Sequence, residues 1–193
     1  MKNVNNLLHA AAFAAEKHRK QPRKGADPSP YINHPLEVAQ IIALVGGVED
    51  EDILVAAILH DTVEDTETTL EELSHEFGPK VSGYVNEVSD NNSLPKAERK
   101  RLQIEHAAHL SVGAKIIRLG DKITNVREIG TNPPVDWSLS RQAEYLEWAG
   151  KLVDGLRDAN PKLEQFFDQT VGSVRKILDS KAELAGLRLV GAR

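Results

Sequence analysis

Apolar residues recur at intervals of three and four along most of this chain of 193 residues. In the stretch AKIIRLGDKITNVREI, for example, Ile116, Leu119 and Ile123 fall on one face of a helix. A half-buried strand would instead alternate apolar and polar residues, and no segment shows that alternation clearly. The spacing therefore predicts an all-α fold.

Capping and helix-breaking residues divide this pattern into separate helices. Pro35 suits the first turn of one helix, which Gly46 ends, and Thr69 with Glu72 resembles a capping box. We therefore predict a compact bundle of about eight to ten helices. The ranges that the pattern indicates most clearly are 4–20, 34–46, 50–64, 69–78, 79–89, 95–108, 114–129, 137–158 and 161–184.

Composition limits the class of protein. With 40% hydrophobic and 27% charged residues, the chain suits one globular domain, which we place at 1–186 with a loose tail at 187–193. It has no apolar run of about 18 residues, so no membrane span is predicted. The absence of cysteine excludes disulfides and favours a cytoplasmic location. A net charge of −5 argues against nucleic-acid binding, and the sequence does not indicate an oligomeric state.

The segment HDTVED crowds four ionisable residues together directly after an apolar run: His60, Asp61, Glu64 and Asp65. On a continuous helix, residues three and four apart share a face, so these side chains would converge near its C-terminal end. The helix dipole disfavours carboxylates there, and crowded carboxylates repel one another unless a cation or a proton relieves them. Charge alone leaves two interpretations open, a metal site and a solvated helix end.

Two further residues can complete a metal site. His34 follows a loop rich in Pro and Gly, and Asp121 interrupts an apolar stretch of the long helix. Each also has an ordinary explanation, as a turn or cap residue and as an exposed helical residue. Together with His60 and Asp61 they supply two imidazoles and two carboxylates, a set that suits Mn²⁺, Fe²⁺ or Zn²⁺.

The order of the motifs resembles a known family. YINHPLEVA, AAILHDTVEDT, LPKAERKRLQIEHA and KIIRLGDKITNVRE follow one another as in the HD-domain metal-dependent phosphohydrolases. The likeness covers roughly residues 7–165. It is to the hydrolase domain of the RelA/SpoT alarmone enzymes, and in particular to the small stand-alone alarmone hydrolases. It implies hydrolysis of the 3′-pyrophosphate of ppGpp or pppGpp, which yields GDP or GTP and pyrophosphate.

The resemblance also implies roles for individual residues. The family's metal, typically Mn²⁺, is held by four residues, which here are His34, His60, Asp61 and Asp121. Two carboxylates act on the water beside the metal, and these are Glu64 and Asp65. Eight further positions face the nucleotide, namely Arg23, Lys24, Lys96, Arg99, Lys100, Asn125, Arg141 and Tyr145.

Several alternatives stay open at this point. The basic segment 96–100 could be a solvated helix face, and Arg141 and Tyr145 could be ordinary surface and core residues. For Trp137 and Trp148 we predict a role in packing and not in base stacking. Thr124 stands where the family commonly has a larger side chain, which could alter base preference.

Two competing functions are a related phosphohydrolase acting on (p)ppApp or NADPH and a non-catalytic nucleotide-binding regulator. The intact metal and carboxylate residues argue against the regulator.

Overall fold

The computed structural model describes residues 2–186. Ten α-helices follow one another in this range: α1 (Lys2–Lys17), α2 (Asn33–Leu44), α3 (Glu51–Leu59), α4 (Thr62–Asp65), α5 (Leu70–Phe77), α6 (Pro79–Val88), α7 (Lys96–Ala107), α8 (Val112–Thr131), α9 (Leu139–Asp154) and α10 (Pro161–Leu184). Within it, β-type pairing is limited to one isolated bridge, so the predicted all-α fold is confirmed. None of these ten helices has the length and apolarity that crossing a bilayer requires. The tail predicted at 187–193 lies outside the described residues.

Helix α8 is the central element of the fold. It packs against α2, α3, α6, α9 and α10, and 13 of its 20 residues are buried. The sequence predicted an amphipathic helix with one apolar face, but a helix surrounded by others buries residues on several faces. For this reason three polar residues of α8 lie in the interior: Asp121, Lys122 and Thr124.

The predicted helix 50–64 is wrong in one respect, because the chain breaks at His60 and Asp61 into α3 and the single turn α4. At the break, side chains form hydrogen bonds with backbone carbonyls. The Thr62 hydroxyl donates to the Leu59 carbonyl at 2.7 Å, and His60 Nδ1 lies 2.8 Å from the Ala57 carbonyl oxygen. These bonds satisfy carbonyls that the end of α3 leaves without helical partners. The carboxylates of α4 consequently lie in a separate single turn and not at the end of one long helix.

Capping chemistry fixes other boundaries. The Thr69 hydroxyl accepts a hydrogen bond from the Glu72 N–H at 3.2 Å, as the predicted capping box requires of its first residue. Helix α9 begins at residue 139 and ends at 154, inside the predicted range 137–158, because Ser138 acts as its N-cap.

Candidate active site

Three side chains from distant parts of the chain converge in the interior. His34 lies in the first turn of α2, His60 directly after α3, and Asp121 in the middle of α8, and all three are buried. Their potential ligand atoms all lie within 4.8 Å of one another. Asp121 Oδ1 is 3.2 Å from His34 Nε2 and 3.9 Å from His60 Nε2. The fold thus brings together residues that the sequence separates widely.

Asp61 approaches the same centre from the turn between α3 and α4. Its Oδ2 lies 3.2 Å from His60 Nε2 and 3.7 Å from His34 Nε2. The Tyr31 hydroxyl donates to this oxygen at 2.7 Å, and burial together with the charge of Asp61 raises the pKa of Tyr31, so the hydroxyl stays protonated. The sequence-based set did not include Tyr31, and its place three residues before His34 was the only signal for it.

The donor set fits a divalent ion. Atoms that share an ion at about 2.1 Å lie roughly 3 to 3.5 Å apart, close to the separations observed. His60 Nδ1 faces the Ala57 carbonyl, so the neutral ring adopts the tautomer that leaves Nε2 without a proton. This buried Nε2 has no hydrogen-bond partner within the described residues, an arrangement that costs free energy unless another group binds there. These residues therefore form a candidate divalent-metal site.

Burial and charge set the protonation of these residues. Burial lowers the pKa of His34, which keeps its imidazole neutral. Burial acts in the same direction on His60, but the Asp61 carboxylate outweighs it and raises the pKa of His60 to about 9. A metal binds neutral imidazole, so its arrival has to displace a proton from His60. Burial disfavours the charge of Asp121, yet Lys122 and His34 hold the pKa of that carboxyl well below its usual range.

Glu64 and Asp65 lie in the single turn α4, beside this cluster. Glu64 Oε2 accepts a hydrogen bond from the Asp90 N–H at 3.0 Å, and its Oε1 lies 3.5 Å from Arg99 Nη1. Burial raises the pKa of Glu64 to about 7, near the range in which a carboxylate serves well as a general base at neutral pH. Burial and the charge of Asp61 also raise the pKa of Asp65.

A cleft of about 510 Å³ opens next to the candidate metal site. Two of its lining residues, Tyr31 and Asn125, hydrogen-bond to the metal-site carboxylates of Asp61 and Asp121. Four of the eight positions predicted to face a nucleotide line it, namely Arg23, Lys24, Asn125 and Tyr145. The cleft therefore connects these positions with the metal site.

A second cleft of about 380 Å³ shares Trp137 and Tyr145 with the first. It is lined by three predicted cations, namely Lys96, Lys100 and Arg141. The Arg141 guanidinium lies 4.6 Å from the centre of the Trp137 ring. Burial, followed by the neighbouring cations, lowers the pKa of Lys96 and Lys100. Neighbouring cations that repel one another in this way are stabilised when an anionic ligand binds between them.

The structure separates Arg99 from the other predicted cations. Its guanidinium contacts Glu64 and Asn92, and Arg99 does not line either cleft. Arg23, in contrast, lines the first cleft but already has a carboxylate partner, Glu128, with Nε 3.2 Å from Oε1, and it also donates to Asn125 Oδ1 at 3.0 Å. Glu128 therefore fixes the position of the Arg23 guanidinium and neutralises its charge.

Sequence reasoning missed three further residues of the site. Glu128 pairs with Arg23, and Lys122 lies 2.8 Å from Asp121. Trp137, which the sequence assigned to packing, lines both clefts. None of them stands out in the sequence, since a charged or aromatic residue on a helix usually has an ordinary role.

Comparisons with known proteins identify the family of this chain. A family model described as an HD domain matches residues 10–146. The guanosine-3′,5′-bis(diphosphate) 3′-pyrophosphohydrolase MESH1 of Xenopus tropicalis is 51% identical over 170 residues, which cover 86% of this chain and 95% of that protein. Its Homo sapiens counterpart is 52% identical over 159 residues, which cover 82% and 89%.

Solved structures agree as well. One, described as a metazoan ortholog of SpoT that hydrolyzes ppGpp, superposes with a TM-score of 0.84 at 44% identity and covers 87% of this chain and 94% of that one. The structure of lmo0812 from Listeria monocytogenes gives a TM-score of 0.62 at 28% identity, covering 78% and 98%. The resemblance stated from the sequence is thus confirmed. The chain belongs to the HD-domain family, within the group that its MESH1 relatives define.

Proposed function

We propose that this protein is a metal-dependent 3′-pyrophosphohydrolase that converts ppGpp or pppGpp to GDP or GTP and pyrophosphate, and so lowers alarmone levels in the stringent response. The observation that carries the proposal is the convergence of His34, His60 and Asp121 beside a cleft that shares residues with a second cleft lined by three cations. The relatives named for this activity are about half identical to the chain over most of its length.

The metal is Mn²⁺ in this proposal, with Fe²⁺ and Zn²⁺ as alternatives that the same ligand types accept. The proposed ligands are His34, His60, Asp61 and Asp121. A bound divalent ion lowers the pKa of a water molecule and polarises a phosphoryl oxygen. Tyr31 orients Asp61 by donating to its Oδ2, and the Ala57 carbonyl orients His60.

Glu64 is the proposed general base, assisted by Asp65. Its carboxylate is held by the Asp90 N–H, and its pKa near 7 lets it take a proton from water at neutral pH and release it again. Asp65 lines the first cleft, so it is placed to orient water or a ribose hydroxyl.

The two clefts divide the nucleotide between them. We assign the base and ribose to the first cleft, beside Arg23, Lys24 and Asn125, where Tyr145 and Trp137 supply aromatic faces. We assign the 5′-phosphates to the second cleft, where Lys96, Lys100 and Arg141 lie, which leaves the 3′-pyrophosphate beside the metal site. Arg99 acts in this scheme by restraining Glu64. The absence of cysteine supports a cytoplasmic location.

The test is a product assay with purified protein. With Mn²⁺ at neutral pH we expect ppGpp to give GDP and pyrophosphate, and a chelator to stop the reaction. The same assay with ppApp and NADPH at equal concentrations ranks the competing substrates. Absence of any nucleotide product from ppGpp would reject the proposal. A faster reaction with NADPH or ppApp would make that nucleotide the preferred substrate.

The roles of Glu64 and His60 separate in a second measurement. Glu64→Gln should bind Mn²⁺ like the wild type but lose turnover by about 10²-fold or more, because only the proton acceptor is removed. His60→Ala should lose Mn²⁺ itself, as measured by metal analysis after desalting. Equal metal contents in the two variants would contradict the assignment.

A further inference from the structure

Lys122 is a buried cation that neither the metal ligands nor the nucleotide clefts account for. Only 6% of the residue is exposed, and lysine is rarely buried to this extent unless it is paired. Its Nζ lies 2.8 Å from Asp121 Oδ2. An unpaired buried ammonium is costly, so this contact with the Asp121 carboxylate is what stabilises the Lys122 charge.

This contact is not one that helix geometry produces by itself. Neighbouring residues on a helix point about 100° apart and ordinarily do not face each other. The Lys122 ammonium is supported from outside α8 by Trp148 of α9, whose ring centre lies 5.1 Å from Nζ. The Trp148 ring is itself fixed, because its N–H donates to the Lys100 carbonyl of α7 at 3.2 Å.

The two oxygens of Asp121 consequently have different surroundings. Oδ1 faces His34 Nε2 and His60 Nε2 and also accepts a hydrogen bond from the Asn125 amide, while Oδ2 faces the Lys122 ammonium. A carboxylate with both oxygens free can bind one ion through both. A buried ammonium at Oδ2 competes with that second contact.

We propose that Lys122, supported by Trp148, restricts Asp121 to one metal-binding oxygen and thereby keeps a coordination position at the ion open to solvent. The proposal makes Lys122 a positioning residue and rests on the metal centre of the proposed function. It also has an electrostatic consequence. Two carboxylates balance a divalent ion, and the positive charge of Lys122 offsets part of the negative charge of Glu64 and Asp65 beside them, which favours an anionic substrate.

A role of Lys122 in supporting the metal site and a role in restricting Asp121 predict different effects of substitution on metal binding. If Lys122 only supported the site, its loss would weaken metal binding, as changes around metal ligands commonly do by 10- to 100-fold. Under the proposal, Lys122→Met removes a charge that repels the ion and frees Oδ2, so Mn²⁺ should bind at least as tightly as in the wild type. The freed oxygen should then displace a water molecule from the ion.

The experiment measures Mn²⁺ binding and the water-proton relaxation rate per bound Mn²⁺, without substrate. Four protein ligands in a six-coordinate shell leave about two waters, so loss of one should lower the relaxation enhancement by about half in Lys122→Met. An unchanged enhancement would overturn the proposal, as would a folded Lys122→Met that no longer binds Mn²⁺. If the wild type binds no Mn²⁺, the metal centre of the proposed function fails, and this proposal with it.

A second pair of variants covers the case in which Lys122→Met does not fold. Trp148→Phe and Trp148→Leu both lose the N–H bond to the Lys100 carbonyl, but only phenylalanine keeps an aromatic face for the Lys122 ammonium. We expect the relaxation enhancement to fall in Trp148→Leu and to stay near the wild-type value in Trp148→Phe. Equal values in the two variants would overturn the proposal.

Discussion

At the scale of single residues, Glu64 shows how a buried carboxyl group lowers stability. Its pKa is about 7 in the folded protein against an ordinary value of 4.5, so the unfolded chain loses this proton first as pH rises. The free energy of unfolding therefore falls between about pH 4.5 and pH 7, by up to about 3 kcal/mol at the metal-free site. Above pH 7 the buried carboxylate is charged and the loss is complete.

Glu64→Gln should remove this dependence on pH, because glutamine carries no charge. In metal-free protein we expect its melting temperature relative to the wild type to rise between pH 5 and pH 8, by an amount equivalent to about 2 kcal/mol. Glu67→Gln removes the same charge from an exposed position and serves as the control. A difference between Glu64→Gln and wild type that stays constant over this pH range would show that burial does not raise the pKa of Glu64.

Residue type also decides which candidate ligands the sequence can indicate. His34 and Asp121 were recognisable because imidazole and carboxylate are metal-ligand types, and the fold brings them within 3.2 Å of each other. Lys122 and Tyr31 were not recognisable, since their roles depend on which neighbour they reach. A lysine after an aspartate in a helix is ordinary until the structure shows it buried against Trp148.

At the scale of helices, the spacing of apolar and capping residues predicted most helices but not the break between α3 and α4. The periodicity of apolar residues indicates where a helix runs and which face it buries. The break depends instead on hydrogen bonds from the Thr62 hydroxyl and the His60 imidazole to carbonyls of α3. Such side-chain bonds compete with helical ones only where tertiary packing places them. The same break weakens the dipole argument, because Glu64 and Asp65 lie in a separate single turn and not at the C-terminal end of one long helix.

Two glycines at one end of α9 provide a matched test of helix packing. A methyl group on Gly155 would lie 2.7 Å from Ala107 Cβ and 3.2 Å from the Ala108 nitrogen, whereas one on Gly150 would meet nothing within 4 Å. Gly155→Ala should therefore lower the free energy of unfolding by about 1–3 kcal/mol through overpacking against α7. Gly150→Ala, inside the helix, should raise it by about 0.5–1 kcal/mol. Urea denaturation followed by circular dichroism measures both, and changes of equal sign would contradict the α7–α9 contact.

At the scale of the whole molecule, the candidate metal site joins elements that lie far apart in the chain. His34 belongs to α2, His60 and Asp61 to the turn after α3, and Asp121 to α8. These residues are close only in the folded protein, so an ion that binds them stabilises the fold through mass action. Sequence motifs indicated the ligand types, but only the packing of α8 against α2 and α3 shows that these side chains lie close together.

Metal binding should accordingly raise the melting temperature. Mn²⁺ at about 100 times its dissociation constant contributes about 2.7 kcal/mol, which corresponds to roughly 5–10 °C for a chain of this length. The increase should be smaller at pH 6 than at pH 8, because His60, with a pKa of about 9, must give up its proton before it binds the ion. A thermal-shift titration with Mn²⁺, reversed by a chelator, measures the effect. Asp121→Ala should show no increase, and an equal increase in that variant would place the ion somewhere other than between these helices.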